Sequence, residues 1–157
     1  MRFTLISNLK QDKAMRSILI GLILFILLYL VSDVIVKYLN FGLFGNEIKN
    51  TLFGNEAEYI DAMTKGAFLE FWHTEIFFVM MMLLTLSSVF IRVANKSRLL
   101  VTNIVMLSAL ISLSSLALAY FISPFFIDIY VITFFIWHLG ALYSCFYSLW
   151  RFYDKRV

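Results

Sequence analysis

The sequence has few of the residues that disulfide-linked, disordered or ordinary soluble proteins use. Its 157 residues include one cysteine, one proline and six glycines, and only 15% of them are charged. The single cysteine, Cys145, excludes an intramolecular disulfide and a thiolate metal cluster. Hydrophobic residues make up 62% of the chain, well above the roughly 45–50% of soluble domains. The composition therefore predicts a membrane protein, and the length predicts a single domain over residues 1–157.

Four apolar segments, about residues 17–37, 65–94, 99–121 and 125–150, are long enough to cross a hydrocarbon core of about 30 Å. The first segment is too long for a signal-peptide core and is followed by no small-residue cleavage site, which favours a retained span. A short turn around Pro124 separates the third and fourth segments, so these run antiparallel. We predict an all-α integral membrane protein with four transmembrane helices in an up-down antiparallel bundle.

The segment 38–64 is the one long connection and contains a short repeat, Leu-Phe-Gly-Asn-Glu, at residues 43–47 and 52–56. Glycine readily adopts the left-handed conformation that ends a helix, and asparagine is a favourable N-cap. Gly45 and Gly54 are therefore expected to end one helix, and Asn46 and Asn55 to begin the next. This pattern predicts short helices over about 47–53 and 56–63, with Thr64 as N-cap of the second span.

The basic residues predict the orientation. The N-terminus, the 92–98 connection and the C-terminus contain ten of the thirteen Lys and Arg residues and two of the ten acids. Because cytoplasmic loops are enriched in Lys and Arg, both termini are predicted to be cytoplasmic and loop 38–64 extracytoplasmic, most naturally in a bacterial inner membrane. The basic residues flank apolar segments rather than forming a stripe, which argues against nucleic-acid binding.

The two histidines, His73 and His138, both lie in predicted spans, and two histidines on facing helices can be the axial ligands of a b-type haem. Their depths are about 13 and about 20 Å from the predicted helix starts, a mismatch of about 7 Å that tilt would have to absorb. Gly140 and Ala141 would leave space beside a ring. A b-type haem bound by His73 and His138 is thus one hypothesis for a cofactor.

A single transition-metal ion is the other cofactor hypothesis. Glu70 and His73 are three residues apart and share a helix face, and Asp33 or Asp128 could add a carboxylate. Glu75 lies about 200° around the helix from His73 and points elsewhere. In the simpler interpretation these acids stay near the outer interface: Asp33 pairs with Lys37 one turn later, and Asp128 interacts favourably with its helix dipole.

Small residues on the third span recur at helical spacing and form one face, which consists of Ser108, Ser112, Ser115 and Ala119. Such seams let membrane helices approach closely, so this face is predicted to bind other membrane subunits or a second copy of the chain.

No catalytic motif is present, which favours a protein that is not an enzyme on its own. The leading functional hypothesis is a small haem- or metal-binding component of a redox or metal-handling system. One alternative is a non-catalytic accessory or assembly subunit without a cofactor. A second alternative is an oligomeric channel or transporter whose acidic outer mouth concentrates cations.

Overall fold

The computed structural model describes residues 13–94 and 98–153, and these are almost entirely helical. The helices are α1 (Lys13–Asn40), α2 (Gly45–Phe53), α3 (Lys65–Val93), α4 (Arg98–Phe121) and α5 (Phe126–Tyr153), and a 3-10 turn lies at Glu56–Glu58. Four of them, α1, α3, α4 and α5, are long and apolar enough to span a membrane. The predicted all-helical architecture with four spans and a short helix between the first two is confirmed. Arg2, Lys10, Lys96, Lys155 and Arg156, which contribute to the predicted orientation, lie outside the described residues.

Helix α5 is the centre of the bundle, since it packs against α1, α2, α3 and α4. Its buried side chains recur every three or four residues and include Tyr130, Phe134, Trp137, His138 and Ala141. Trp137 is 1% exposed and is the largest fully buried side chain among the described residues. A helix buried along one continuous stripe needs this spacing because the α-helix repeats every 3.6 residues.

Helix α1 is the least embedded span. Only 17% of its most apolar stretch is buried within the chain, compared with 39% in each of the other three spans. Its outward side chains, among them Phe25 and Leu28, are large and apolar, as expected for a surface that faces lipid. The inward stripe of α1 is narrow and consists of Ile23, Ile26, Leu30 and Lys37.

The connection between α1 and α3 folds over the bundle. Ile48 and Leu52 of α2 are buried, and α2 packs on α5. The Glu47 carboxylate accepts a hydrogen bond of 2.9 Å from the Leu43 backbone N–H, which stabilises the start of α2. The Tyr120 hydroxyl donates to the Met63 carbonyl at 3.0 Å and ties the end of the loop to α4.

The loop prediction is partly wrong. Gly54 has φ 80° and Asn55 accepts a hydrogen bond from the Ala57 N–H, as the pattern predicted. The helix predicted over 56–63 ends after Glu58, because Tyr59 takes a left-handed φ of 54° and the chain turns back to pair Asn55 with Ile60. Gly45 belongs to the first turn of α2 rather than ending a preceding helix. Thr64 caps α3 through a 3.3 Å hydrogen bond from the Ala67 N–H, as predicted.

The predicted association seam is buried within this chain. Ser108, Ser112, Ser115 and Ala119 are each at most 6% exposed. Helix α4 packs most extensively against α5, and the contact is so close that a Cβ on Gly140 would lie 2.4 Å from Cγ2 of Val105. The small residues of α4 are therefore used inside the bundle and are not presented to another subunit.

Candidate functional site

The residues predicted to bind a cofactor are not gathered into one site. Glu70, His73 and Asp128 are exposed, whereas His138 is 3% exposed. Asp33 is the only predicted ligand beside His138: its Oδ2 lies 3.9 Å from Nδ1 of the imidazole. Within residues 13–94 and 98–153, no three His, Cys, Asp or Glu side chains are arranged to hold a metal ion.

A different group of polar side chains meets inside the spans, between α1, α3 and α5. We call it the charge cluster, and it consists of Asp33, Lys37, Glu75 and His138. The Lys37 ammonium is 3% exposed and donates to Oδ1 of Asp33 at 2.6 Å and to Oε1 of Glu75. The Asp33 and Glu75 side chains are 8% and 12% exposed. One buried ammonium is thus held by two carboxylates from two different spans.

His138 joins the charge cluster from α5. Its Nε2 lies 3.1 Å from the backbone oxygen of Leu30 on α1. A carbonyl oxygen can only accept, so Nε2 carries the hydrogen in this bond and Nδ1 of a neutral ring is an acceptor. Nδ1 faces Oδ2 of Asp33, and among the described residues neither atom has a hydrogen-bond partner.

Aromatic rings surround the charges. The Lys37 Nζ lies 5.0 Å from the centre of the Phe134 ring, a distance at which the ring face attracts a cation. Phe134 also packs against His138, with 5.2 Å between ring centres. Tyr130 of α5 is buried and packs against Phe134, with 5.9 Å between ring centres. The charge cluster is therefore enclosed by side chains that exclude most water.

The register of each helix brings these residues together. Leu30, Asp33 and Lys37 are three and four residues apart, so they extend the buried stripe of α1. Glu75 lies seven residues after buried Phe68 and four before buried Val79, on the inward face of α3. His138 belongs to the buried stripe of α5. The same geometry explains why Glu70 and His73 point outward while Glu75 points inward.

The sequence predicts that Asp33 pairs with Lys37 at the outer interface. In the structure this ion pair is present and buried. Lys37 and Glu75 were missed as site residues. Two features of the sequence could have indicated them. Charges of opposite sign within predicted spans tend to pair with one another, and Glu75 lies seven residues after Phe68, on the same face of the helix.

The arrangement can hold a proton. With both carboxylates ionised and His138 neutral, one ammonium faces two negative charges, so the charge cluster has one excess negative charge. Uncompensated charge is costly in a low-dielectric site. A proton on Nδ1 of His138 would compensate it and could be donated to Oδ2 of Asp33 after a movement of about 1 Å.

Comparison with known proteins agrees with the helical architecture. The family model Aq_1264_TM, described as a transmembrane helical domain, matches residues 42–157. The matched part contains α2 to α5, and so it includes Glu75 and His138, while α1 with Asp33 and Lys37 precedes it. No match was found among the curated proteins or among the solved structures.

Proposed function

We propose an activity for this chain, which belongs to the Aq_1264_TM family of transmembrane helical domains and is a small multi-span membrane protein. In this proposal it binds and releases a proton at the charge cluster and couples that proton to transport across the membrane. The observation that carries this proposal is the Lys37 ammonium held between Asp33 and Glu75 inside the spans, with His138 alongside. Ionisable side chains at this depth are costly, and they mark proton relays and substrate pathways in membrane proteins.

The atoms facing each other support proton binding more specifically. Oδ2 of Asp33 and Nδ1 of His138 are both buried acceptors, 3.9 Å apart. A proton added to the imidazole converts this contact between two acceptors into a charge-assisted hydrogen bond. The same proton removes the excess negative charge. Proton uptake therefore gains both a bond and a charge balance at one place.

The protonated and unprotonated clusters hold the helices differently. Asp33 is shared between Lys37 on its own helix and His138 on α5, while Glu75 links Lys37 to α3. When Asp33 turns toward an imidazolium, its hold on Lys37 weakens and Glu75 becomes the main partner of the ammonium. Protonation thus redistributes the contacts of α1 between α3 and α5, which is the two-state behaviour that coupled transport requires.

Proton flux in reconstituted liposomes tests the proposal. The purified protein is placed in vesicles that contain a pH-sensitive dye, and a potassium gradient with valinomycin imposes a membrane potential. We expect the wild type to acidify the lumen faster than protein-free vesicles, and Glu75→Gln to reduce the flux to the protein-free level. The substitution keeps the size of the side chain and removes its charge.

Glu70→Gln is the matched control, since Glu70 is an exposed acid on the same helix. It should keep the wild-type flux, and so should His73→Ala. If the wild type moves no protons, or if Glu70→Gln and Glu75→Gln reduce the flux equally, the proposal is wrong, and the charge cluster is a structural ion pair that fixes helix packing.

The haem or metal role through His73 and His138 draws less support from the geometry. His73 is exposed, and Nε2 of His138 is engaged with the Leu30 carbonyl, a contact that haem ligation through that nitrogen would have to replace. This role stays a prediction, as does that of an accessory subunit. An absorbance spectrum without a Soret band and a metal-free elemental analysis of the purified protein would reject the cofactor role.

The predicted orientation also stays a prediction. If loop 38–64 is extracytoplasmic, the charge cluster lies toward the extracytoplasmic half of α1, because Lys37 is three residues from the helix end at Asn40. Protons would then reach it from outside over a short distance. Glu75 is the most exposed of the three ion-paired side chains, at 12%.

A further inference from the structure

Three aromatic rings lie between the charge cluster and the end of the bundle that carries loop 38–64. They belong to Phe41, Phe71 and Tyr130, and we call them the aromatic layer. Phe41 stacks on Phe71, with 4.9 Å between ring centres and an angle of 25° between the rings, and it meets Tyr130 edge-on at 6.4 Å. Phe41 and Tyr130 are 3% and 4% exposed, and Phe71 is half-buried. Phe41 is the central residue of the layer, since its ring contacts both of the others.

The spacing along the chain places the aromatic layer one helical turn from the charges. Phe41 follows Lys37 by four residues, and its N–H donates to the Lys37 carbonyl at 2.9 Å, as in a continuing helix. Phe71 precedes Glu75 by four residues, and Tyr130 precedes the histidine of the cluster by eight. Helix α1 ends at the loop, and α3 and α5 begin at the same end of the bundle. Four helical residues rise about 6 Å, so the three rings lie on the loop side of the charges.

The aromatic layer is apolar apart from one hydroxyl, that of Tyr130. It is continuous with the ring that faces the ammonium of Lys37, because Tyr130 packs on Phe134 and Phe134 lies 5.0 Å from Nζ of Lys37. Apolar constrictions in membrane proteins exclude water and can act as gates. A proton that enters the charge cluster from the loop end has to pass between these rings.

We propose that the aromatic layer is the barrier that limits proton access to the charge cluster from the loop end, and that Phe41 is the residue that closes it. The inference rests on the proposed proton binding at the charge cluster and names how that site is shielded. Entry from the loop end requires Phe41 to separate from Phe71 or from Tyr130. The loss of one aromatic pair shifts an equilibrium between closed and open forms by about two- to tenfold.

Chemical labelling of a cluster carboxylate tests the barrier without a proton gradient. The full-length protein in detergent is treated with a water-soluble carbodiimide and glycinamide, and the initial rate of amide formation at Glu75 is followed by peptide mass spectrometry. Phe41→Ala removes the central ring, and we expect it to raise this rate by about threefold or more over the wild type. Glu70, an exposed acid on the same helix, should react at the same rate in both proteins and serves as the internal reference.

Phe68→Ala is the matched control for loss of a buried ring. Phe68 is 0% exposed and stacks on Tyr120 of α4, with 4.1 Å between ring centres, so it stabilises the same end of α3 outside the aromatic layer. Its loss should leave the labelling rate of Glu75 at the wild-type value. If Phe68→Ala raises that rate as much as Phe41→Ala does, or if Phe41→Ala leaves it unchanged, the proposal is wrong.

Phe71→Ala replaces the first variant if Phe41→Ala does not fold. Phe71 is only half-buried, so its truncation removes less buried surface while breaking the same stack. It should also raise the labelling rate of Glu75, and an unchanged rate would reject the barrier. Tyr130→Phe keeps the ring and removes the hydroxyl, and it should label as the wild type does. Faster labelling of Tyr130→Phe would mean that a hydroxyl, and not the rings, closes the site.

Proton flux in liposomes separates this inference from the proposed function. Phe41→Ala should carry protons faster than the wild type under the same membrane potential. If the wild type moves no protons but Phe41→Ala labels faster at Glu75, the proposed function fails and the barrier remains. If the wild type moves protons and no variant of the aromatic layer changes the labelling of Glu75, the function remains and this inference fails.

Discussion

Helix α1 and the hairpin of α4 and α5 differ in the interactions that hold them in place: buried charges for α1, and close packing without charges between α4 and α5. A close contact between α4 and α5 joins Gly140 to Val105. Two buried serines of these helices donate within their own helix, Ser108 to the Ile104 carbonyl at 2.7 Å and Ser144 to the Gly140 carbonyl at 2.8 Å. Helix α1 buries little apolar surface and contributes Asp33 and Lys37 to the charge cluster.

The difference shows how a membrane protein separates a rigid part from a responsive part. Close packing of small residues gains van der Waals contact that does not depend on protons or ions. A buried charge cluster stabilises only when its charges are balanced, and removing one partner leaves the others uncompensated. The attachment of α1 therefore depends on what the charge cluster binds, whereas that of the hairpin does not.

Removing the lysine should have the largest effect on stability. Lys37→Met leaves Asp33 and Glu75 buried without a cation, and we expect it to lower the free energy of unfolding by about 3–5 kcal/mol. Equilibrium unfolding in detergent measures the loss. Lys49→Met, at an exposed position, should lose less than about 0.5 kcal/mol.

Neutralising the acids as well sharpens the test of the charge cluster. In a protein that already has Asp33→Asn and Glu75→Gln, Lys37→Met should cost far less than in the wild type, because no charge is left unpaired. An equal loss of unfolding free energy in both backgrounds would mean that α1 is held by packing of the aliphatic part of the Lys37 side chain and not by its charge.

The next effect concerns the close α4–α5 contact. Gly140→Ala places a Cβ 2.4 Å from Cγ2 of Val105, whereas Gly21→Ala on α1 meets nothing within 4 Å. Both alanines gain similar helix propensity, so the difference between the two variants reports the steric cost, which we expect to be about 1–3 kcal/mol. Thermal unfolding of the two variants side by side measures it.

A second substitution shows whether the contact itself is responsible. Val105→Ala removes the methyl group that the new Cβ would meet, and it should recover most of the loss in Gly140→Ala. If Gly140→Ala and Gly21→Ala have the same Tm, the hairpin is less tightly packed than the structure indicates.

The smallest effect is expected from a neutral hydrogen bond between α3 and α4. The Trp72 indole N–H donates to the Leu113 carbonyl at 2.9 Å, and Trp72→Phe should cost about 0.6 kcal/mol, the average for such bonds in membrane proteins. Trp150→Phe is the control, since Trp150 is 67% exposed. A loss as large as that of Lys37→Met would contradict the view that charge, rather than neutral hydrogen bonding, dominates the polar interactions of this bundle.

Much of the architecture follows from local properties of the sequence. Apolar segments of sufficient length predict the four spans because unpaired backbone groups are not tolerated in lipid, and the observed helices extend the predictions by at most four residues at any end. The Thr64 cap and the positive φ of Gly54 were predicted from single residues. The second loop helix was not, because the turn at Tyr59 depends on the pairing of Asn55 with Ile60.

The candidate site was harder to predict from sequence. Helical spacing joined Asp33 to Lys37 and separated Glu75 from His73, since both are relations within one helix. It did not join Lys37 to Glu75, which lie 38 residues apart. Each span is apolar around most of its circumference, so hydropathy alone does not predict which face of the helix points into the bundle.

The sequence by itself determined that this chain is a four-span helical membrane protein with an ion pair one helical turn long in its first span. Length, hydropathy and local spacing suffice for that because each is a property of a single helix in lipid. Only the tertiary structure decided that the ion pair is buried, that Glu75 and His138 join it, and that the serine seam is used within the chain. These depend on how the helices are rotated against one another, which is determined by packing among all of them together.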